Sequence, residues 1–400
     1  MYCMAFPGGV PGTYNHSSLD SDSPMRFLVL VFALLPFAAS HAQPLPPPAL
    51  SARSWLLLDY ATGQVLASQE ADTRLEPASL TKVMTTYLVA EALAQKSLSP
   101  QQPVMVSERA WRTQGSRSFV PVNKPVPVDD LFKGMVIQSG NDASVALAEA
   151  IGGSEEQFAA MMNRTAQRMG LKDTNFLNAS GYFEGPAPNH HSTARDLARL
   201  AAALIRDHPQ AHDLHAVKEY TYNGIRQHNR NRLLWADPTV DGLKTGHSSA
   251  AGYCLIATAQ RGPRRLISVV LGTASEEARA RDSLNLLNWG YTAFEAVSLY
   301  KKGQAVSQIK VFKGVQNLVG AGFAEDFVVS VPRGMADKVT AQLVSQQPLV
   351  APIAAGSVVG TLKLAVGGQP WGEYPVVAQN AVPLAGFLGR LWDDVRLFFQ

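Results

Sequence analysis

A chain of 400 residues is long enough for two domains and a sizeable core. Its 46% hydrophobic and 17% charged residues compose a globular protein and exclude a disordered one. The net charge of +3, with no sustained basic run and no aromatic-basic interleaving, argues against a nucleic-acid partner.

The chain opens with a location signal. Met25-Arg26 precedes an apolar run over 27–39 that ends in Ser40-His41-Ala42. A positive residue, a short apolar stretch and small residues before a break predict a secretory signal peptide over 25–42, cleaved after Ala42. The run is short for a permanent span, which needs about 20 apolar residues, and an uncleaved N-terminal anchor is the alternative. Residues 1–24 are polar and rich in Pro and Gly, so Met25 is an alternative start and 1–42 is read as leader. Cys3 would leave with that leader, and Cys254 alone forms no internal disulfide.

Residues 43–50 are a proline-rich lead-in, and apolar runs at 54–59 and 64–68 around Ala61-Thr62-Gly63 predict a β-hairpin. Pro77 precedes a helix over 79–94. Val128-Asp129-Asp130 starts a second helix with acidic first-turn residues that ends before Ser139, and a third follows from 142. Ser154-Glu155-Glu156-Gln157 is a capping box leading to 169, with Gly170 as the stop. Thr193 opens a helix to 206. Extended segments are expected at 218–223, 226–234, 243–246, 252–260 and 265–271, the last two joined at Arg261-Gly262-Pro263, and a helix at 275–296. Strands at both ends with helices between them predict an α/β sandwich around an antiparallel sheet over 43–298. From 299 to 381 short apolar segments divided by Gly and Pro, such as 327–331 and 354–364, predict a small all-β domain.

Over 382–400, Leu384, Phe387, Leu388, Leu391, Trp392, Val395, Phe398 and Phe399 recur at helical spacing, with Arg390, Asp393, Asp394 and Arg396 on the remaining face. This predicts an amphipathic helix lying in a membrane interface. Packing against the β domain or a second subunit is the alternative.

Three motifs carry chemistry. Ser79-Leu80-Thr81-Lys82 places a hydroxyl and an amine on one helix face, at a helix N-terminus that favours developing negative charge. A serine needs a base within hydrogen-bond reach, and a desolvated Lys82 supplies one. Ser139-Gly140-Asn141 is a turn between helices. Lys244-Thr245-Gly246 reads as an edge strand able to pair with an extended substrate, with Gly246 leaving room for close backbone approach. Their order along one chain points to an acyl-transfer enzyme.

With their flanks, Pro77-Ala78-Ser79, Gln138-Ser139-Gly140-Asn141-Asp142-Ala143 and Asp241-Gly242-Leu243-Lys244-Thr245-Gly246-His247, these motifs resemble the low-molecular-mass penicillin-binding proteins, the serine-type D-Ala-D-Ala carboxypeptidases. The resemblance spans 43–400. It implies a β-lactamase/transpeptidase-like sandwich with a helical subdomain, a β-rich second domain and a C-terminal amphipathic anchor on the periplasmic face of the inner membrane. It implies Ser79 as nucleophile, Lys82 as general base, Ser139 and Lys244 as proton shuttles, and Asn141 as a substrate amide holder. The backbone N–H groups of Ser79 and His247 would form the oxyanion hole. Thr245 and Arg230 resemble the groups that receive the terminal carboxylate, with Arg279 a further candidate. Substrates would be peptidoglycan stem peptides ending in D-Ala-D-Ala, and β-lactams would acylate the same serine. No counterpart stands out to the carboxylate that class A β-lactamases use for deacylation; Glu184 is the nearest candidate and fits poorly. Slow release of bound penicillin follows.

The alternatives are a β-lactamase or D,D-endopeptidase on the same scaffold, or a weakly catalytic envelope protein that binds peptidoglycan. No cofactor is expected. His208, His212 and His215 have helical spacing, but Pro209 interrupts them and a solvated helix end is favoured over a metal site. His190 and His191 lie in a loop without an assigned role. Trp111, Trp235 and Trp289 read as packing residues.

Overall fold

The computed structural model describes residues 45–398, so the leader and its expected cleavage site lie outside the described residues. The central element is a five-stranded antiparallel sheet in the order Val65–Gln69, Ser54–Asp59, Arg264–Thr273, Gly252–Arg261, Val240–Ser248. Apart from the edge strand Val65–Gln69, its strands are largely buried on both faces, and side chains alternate between two cores with the period of two that pleating imposes. Leu56, Leu58, Ile256 and Ile267 point to one core, shared with the helices Lys82–Ala94 and Ala194–Asp207. Trp55, Leu57, Leu255 and Leu266 point to the other, covered by Leu286, Leu287 and Trp289 of the helix Glu276–Ala293.

The helices Val128–Ile137, Asn141–Gly152 and Glu155–Arg168 extend the first core into a helical subdomain. The N-cap expected at Ser154 forms: its side chain accepts from the Gln157 N–H at 3.2 Å. Such a cap contributes about 1 kcal/mol. Gly170 then ends the helix at φ +70°, a conformation that favours glycine.

Three expectations differ from the structure. The nucleophile helix begins as a 3-10 turn at Ala78–Thr81 and becomes α-helical only at Lys82. The extended segment expected over 226–234 ends at His228, and Leu233–Ala236 is a helical turn. The asparagines cause this. Asn229 Oδ1 accepts from the Asn231 N–H at 2.9 Å, and Asn231 Oδ1 accepts from the Leu233 N–H at 3.1 Å, which curls the chain. Finally, the helix expected to 296 stops at Ala293, and Phe294–Tyr300 pairs antiparallel with Phe327–Pro332, so its backbone bonds go to a strand partner instead.

The C-terminal domain is all-β, with a six-stranded sheet around a core that includes Val329, Val331, Val359, Leu362 and Val376. Its junction with the first domain is polar at the centre. Ser330 Oγ donates to the buried Asp59 carboxylate, and the Trp371 indole N–H donates to Ser330 O at 2.9 Å. Trp371 also packs against hydrophobic clusters of both domains. The chain continues into the helix Phe387–Phe398. Asp393 accepts from the Lys313 backbone N–H at 2.6 Å and Asp394 pairs with the Lys313 ammonium, which docks this helix on the β domain. Phe387, Leu391 and Trp392 remain largely exposed. No helix among the described residues is long and apolar enough to cross a membrane.

Candidate active site

The three motifs converge on one cleft of about 620 Å³, between the sheet edge and the helical subdomain. Ser79, Ser139, Asn141, Arg230, Thr245, Gly246, His247 and Arg279 all line it, with Lys82 and Lys244 buried beneath. The strand Val240–Ser248 lies against the nucleophile turn. A Cβ at Gly246 would sit 2.9 Å from Pro77 O and 3.2 Å from Leu80 Cγ, so only glycine permits this approach.

Lys82 is fully buried and its ammonium nitrogen has three partners. They are Ser79 Oγ at 3.0 Å, Asn141 Oδ1 at 2.6 Å and Ser180 O at 2.7 Å. Burial pulls its pKa down from 10.5 to about 7, with Asp142 and Glu155 opposing the shift and Arg230 adding to it. A neutral amine has two N–H bonds and one lone pair. Two of the partners, Asn141 Oδ1 and Ser180 O, can only accept, which leaves the lone pair for the Ser79 hydroxyl proton. The geometry therefore suits Lys82 as the base.

Lys244 donates to Thr245 O at 2.9 Å, and burial first, then Lys82, holds its pKa well below the ordinary lysine range. Ser139 Oγ is buried and has no hydrogen-bond partner among the described residues, and its backbone stands at φ +68°. Such a strained position persists only where surrounding structure enforces it. Here the turn is tied down by its own backbone, Gly140 N–H donating to Gly134 O at 3.1 Å and Asn141 N–H to Ser116 O at 2.7 Å, while the Asp142 carboxylate accepts from the N–H groups of Ser118, Phe119 and Val120 at 2.8, 2.9 and 3.3 Å. Asn141 Nδ2 donates to Gln114 O at 2.5 Å, fixing the amide so that its oxygen faces Lys82.

At the cleft rim, exposed Arg230 donates from Nε to Gln138 O at 3.3 Å and joins no ion pair among the described residues. Its guanidinium thus retains donors for an incoming carboxylate. Arg279 is buried, bonding Gly246 O at 3.1 Å and Glu276 at 3.2 Å. His247 stacks on Tyr253 with ring centroids 4.0 Å apart, and burial lowers its pKa.

Some parts of the site carry no motif. The Ser180 carbonyl that receives Lys82 comes from a loop 98 residues away, and Ser116, Tyr182 and Phe183 line the cleft from loops without a chemical signature. Asp142 was legible only as the residue after the Ser-Gly-Asn turn. The histidine triplet is not the solvated helix end expected from sequence: His212 and His215 are buried, His215 Nδ1 bonds Leu243 O at 2.7 Å, His212 Nε2 faces Thr258 Oγ1 at 3.4 Å and Asp241 at 3.6 Å, and His208 packs edge-on to Tyr87 at 4.6 Å.

Comparison with known proteins finds matches over both domains. The family profile for D-alanyl-D-alanine carboxypeptidase matches residues 39–275, and that for penicillin-binding protein 5, C-terminal domain, matches 294–384. The D-alanyl-D-alanine carboxypeptidase DacC of Escherichia coli is 42% identical over 378 residues, covering 92% of this chain and 94% of its own. DacA of the same organism is 37% identical over 393 residues, covering 94% and 97%. The solved structure of penicillin binding protein 5 from Haemophilus influenzae aligns with a TM-score of 0.77 at 38% identity, over 85% of this chain and 99% of that one.

Proposed function

The chain belongs to the D-alanyl-D-alanine carboxypeptidase family, and we propose that it removes the terminal D-alanine from peptidoglycan stem peptides through an acyl-enzyme on Ser79. The observation that carries the residue assignment is the buried Lys82 amine at 3.0 Å from Ser79 Oγ, with a pKa lowered to about 7. Neutral Lys82 takes the hydroxyl proton as Oγ attacks the carbonyl between the two D-alanines. The N–H groups of Ser79 and His247 receive the oxyanion. The proton then passes through Ser139 and Lys244 to the leaving amine, and D-alanine departs. Water hydrolyses the ester in a second step.

Substrate binding follows from the cleft walls. Asn141 holds a substrate amide, the Lys244–Gly246 segment pairs with the extended peptide, and Thr245 with Arg230 receives the terminal carboxylate. Arg279 is better suited to support Gly246 than to meet substrate, because it is buried and paired. A β-lactam acylates the same serine. Glu184 and Glu276 line the cleft, but neither is hydrogen-bonded to Ser79 or Lys82 among the described residues, and slow hydrolysis of a penicilloyl ester is the reading we favour.

We also propose export through cleavage after Ala42, action on the periplasmic side of the inner membrane, and a peripheral attachment through the terminal helix. The exposed Phe387, Leu391 and Trp392 support that attachment. The function is tested by incubating the protein with a peptide ending in D-Ala-D-Ala and assaying free D-alanine. Release that is lost in Ser79→Ala is the expected result, and release that persists in that variant would overturn the assignment.

A further inference from the structure

His190 lies far from the three motifs in sequence, yet it contacts the nucleophile turn. It is 1% exposed, and its ring sits against Phe176 and Phe183 at centroid distances of 5.9 and 5.0 Å. Its Nδ1 accepts from the Leu177 backbone N–H at 2.9 Å. The neutral ring must therefore carry its hydrogen on Nε2, which points at Thr81 Oγ1 at 2.8 Å. Thr81 in turn donates to Ala78 O at 2.7 Å. The result is a directional chain from Leu177 N–H through His190 and Thr81 to the carbonyl of the residue before Ser79. Ala78 itself stands at φ +46°.

The loop that His190 anchors also supplies the Ser180 carbonyl to Lys82. The packing there is tight: a Cβ at Gly181 would fall 1.9 Å from Ala78 O and 2.5 Å from Thr81 Oγ1. The loop thus meets the nucleophile turn through the His190–Thr81 bond, and the helix that follows through the Ser180–Lys82 bond and a bond from Thr85 Oγ1 to Ala179 O at 2.6 Å. We propose that His190 and Thr81 are positioning residues, which clamp the 177–191 loop to the nucleophile turn and so hold Lys82 aimed at Ser79. This inference rests on the assignment of Ser79 as nucleophile and Lys82 as its base.

A positioning role separates experimentally from a merely structural one, because a clamp that sets Lys82's surroundings changes the pH at which acylation switches on. Lys82 is faced by Asp142, Glu155, Arg230 and Lys244, and none of these is altered by a change at Thr81. The experiment measures the rate of covalent labelling by a fluorescent penicillin, from pH 5.5 to 9.5, for the wild type, Thr81→Val and Thr81→Ser. Valine keeps the shape and removes the hydroxyl. The expected result is labelling slowed about 10²-fold at neutral pH, the scale of a misplacement near 1 Å. The rising limb should move to higher pH as water reaches Lys82, and serine should restore both. Thr81→Val labelling within twofold of wild type with an unmoved limb would overturn the clamp, as would equal loss in Thr81→Ser. If Thr81→Val does not unfold cooperatively, His190→Gln and His190→Leu decide. Glutamine can accept from Leu177 and donate to Thr81, so it should keep the wild-type limb while leucine moves it, and an identical limb in both would overturn the clamp. A wild type that never labels would sink the clamp together with the nucleophile assignment, whereas a labelling wild type confines any failure to the clamp.

Discussion

Lys82 Nζ donates to Asn141 Oδ1 across 2.6 Å, joining two motifs that stand 59 residues apart in the chain. The bond aims the lysine's remaining valence at Ser79. It also makes the lysine's charge state sensitive to whatever occupies position 141.

The first prediction concerns that charge state. Protonated Lys82 cannot accept the Ser79 proton, so acylation should rise with pH through about 7, the pKa that burial imposes. Asn141→Asp places a carboxylate beside the amine and favours its charged form. Its acylation limb should therefore move to higher pH, read from labelling rates across pH. An unmoved limb in Asn141→Asp would remove Lys82 from the role of base.

Stability should also respond to acid. Burial holds both His190 and His215 down at about 3, against 6.5 when unfolded. Between those values the unfolded chain binds protons that the folded one does not, so stability rises with pH and falls as pH drops below 6.5. Each histidine contributes a slope of about 1.4 kcal/mol per pH unit in that window. Urea unfolding of His190→Gln should show a shallower fall between pH 6 and 4 than the wild type.

Gly181 should not tolerate alanine. The residue stands at φ +72°, and the added methyl would overlap Ala78 O. Backbone strain and overpacking together should cost about 3 kcal/mol or more in chemical denaturation, with labelling lost alongside. Gly224→Ala, at a similar φ of +74° but with open space around it, should cost about 1 kcal/mol of strain alone.

The terminal helix should behave as an interfacial anchor. Phe387→Asp with Leu391→Asp should move the protein from membrane pellet to supernatant while D-alanine release from a soluble peptide is unchanged. Unchanged fractionation would favour a helix that only packs on the β domain through Lys313.

Much of this was legible in sequence because local signals agreed with the fold. Ser154, Thr193 and Ser275 each precede a helix and each accepts the expected backbone N–H. The segments at 252–260 and 265–271 read as strands, and they form Gly252–Arg261 and Arg264–Thr273 with both faces of the sheet covered there. The misses arose where side chains compete with backbone or where tertiary pairing decides. Asn229 and Asn231 curl a segment that reads as extended, and Phe294 leaves a helix because a strand 33 residues later accepts it. In the site, the motif residues were readable as residue types, since nucleophile and base lie three positions apart. The Ser180 carbonyl and the His190–Thr81 bond were not, because they depend on loops brought in from 98 and 109 positions away.

Ser79 carries the acyl group because Lys82 activates it. The most direct measurement is the intact mass of the protein after brief exposure to penicillin, followed by peptide mapping of the adduct. One penicilloyl group per chain is expected, located on Ser79 and absent in Ser79→Ala and at neutral pH in Lys82→Ala. An adduct on another residue, or full-rate modification of Ser79 in Lys82→Ala, would contradict it.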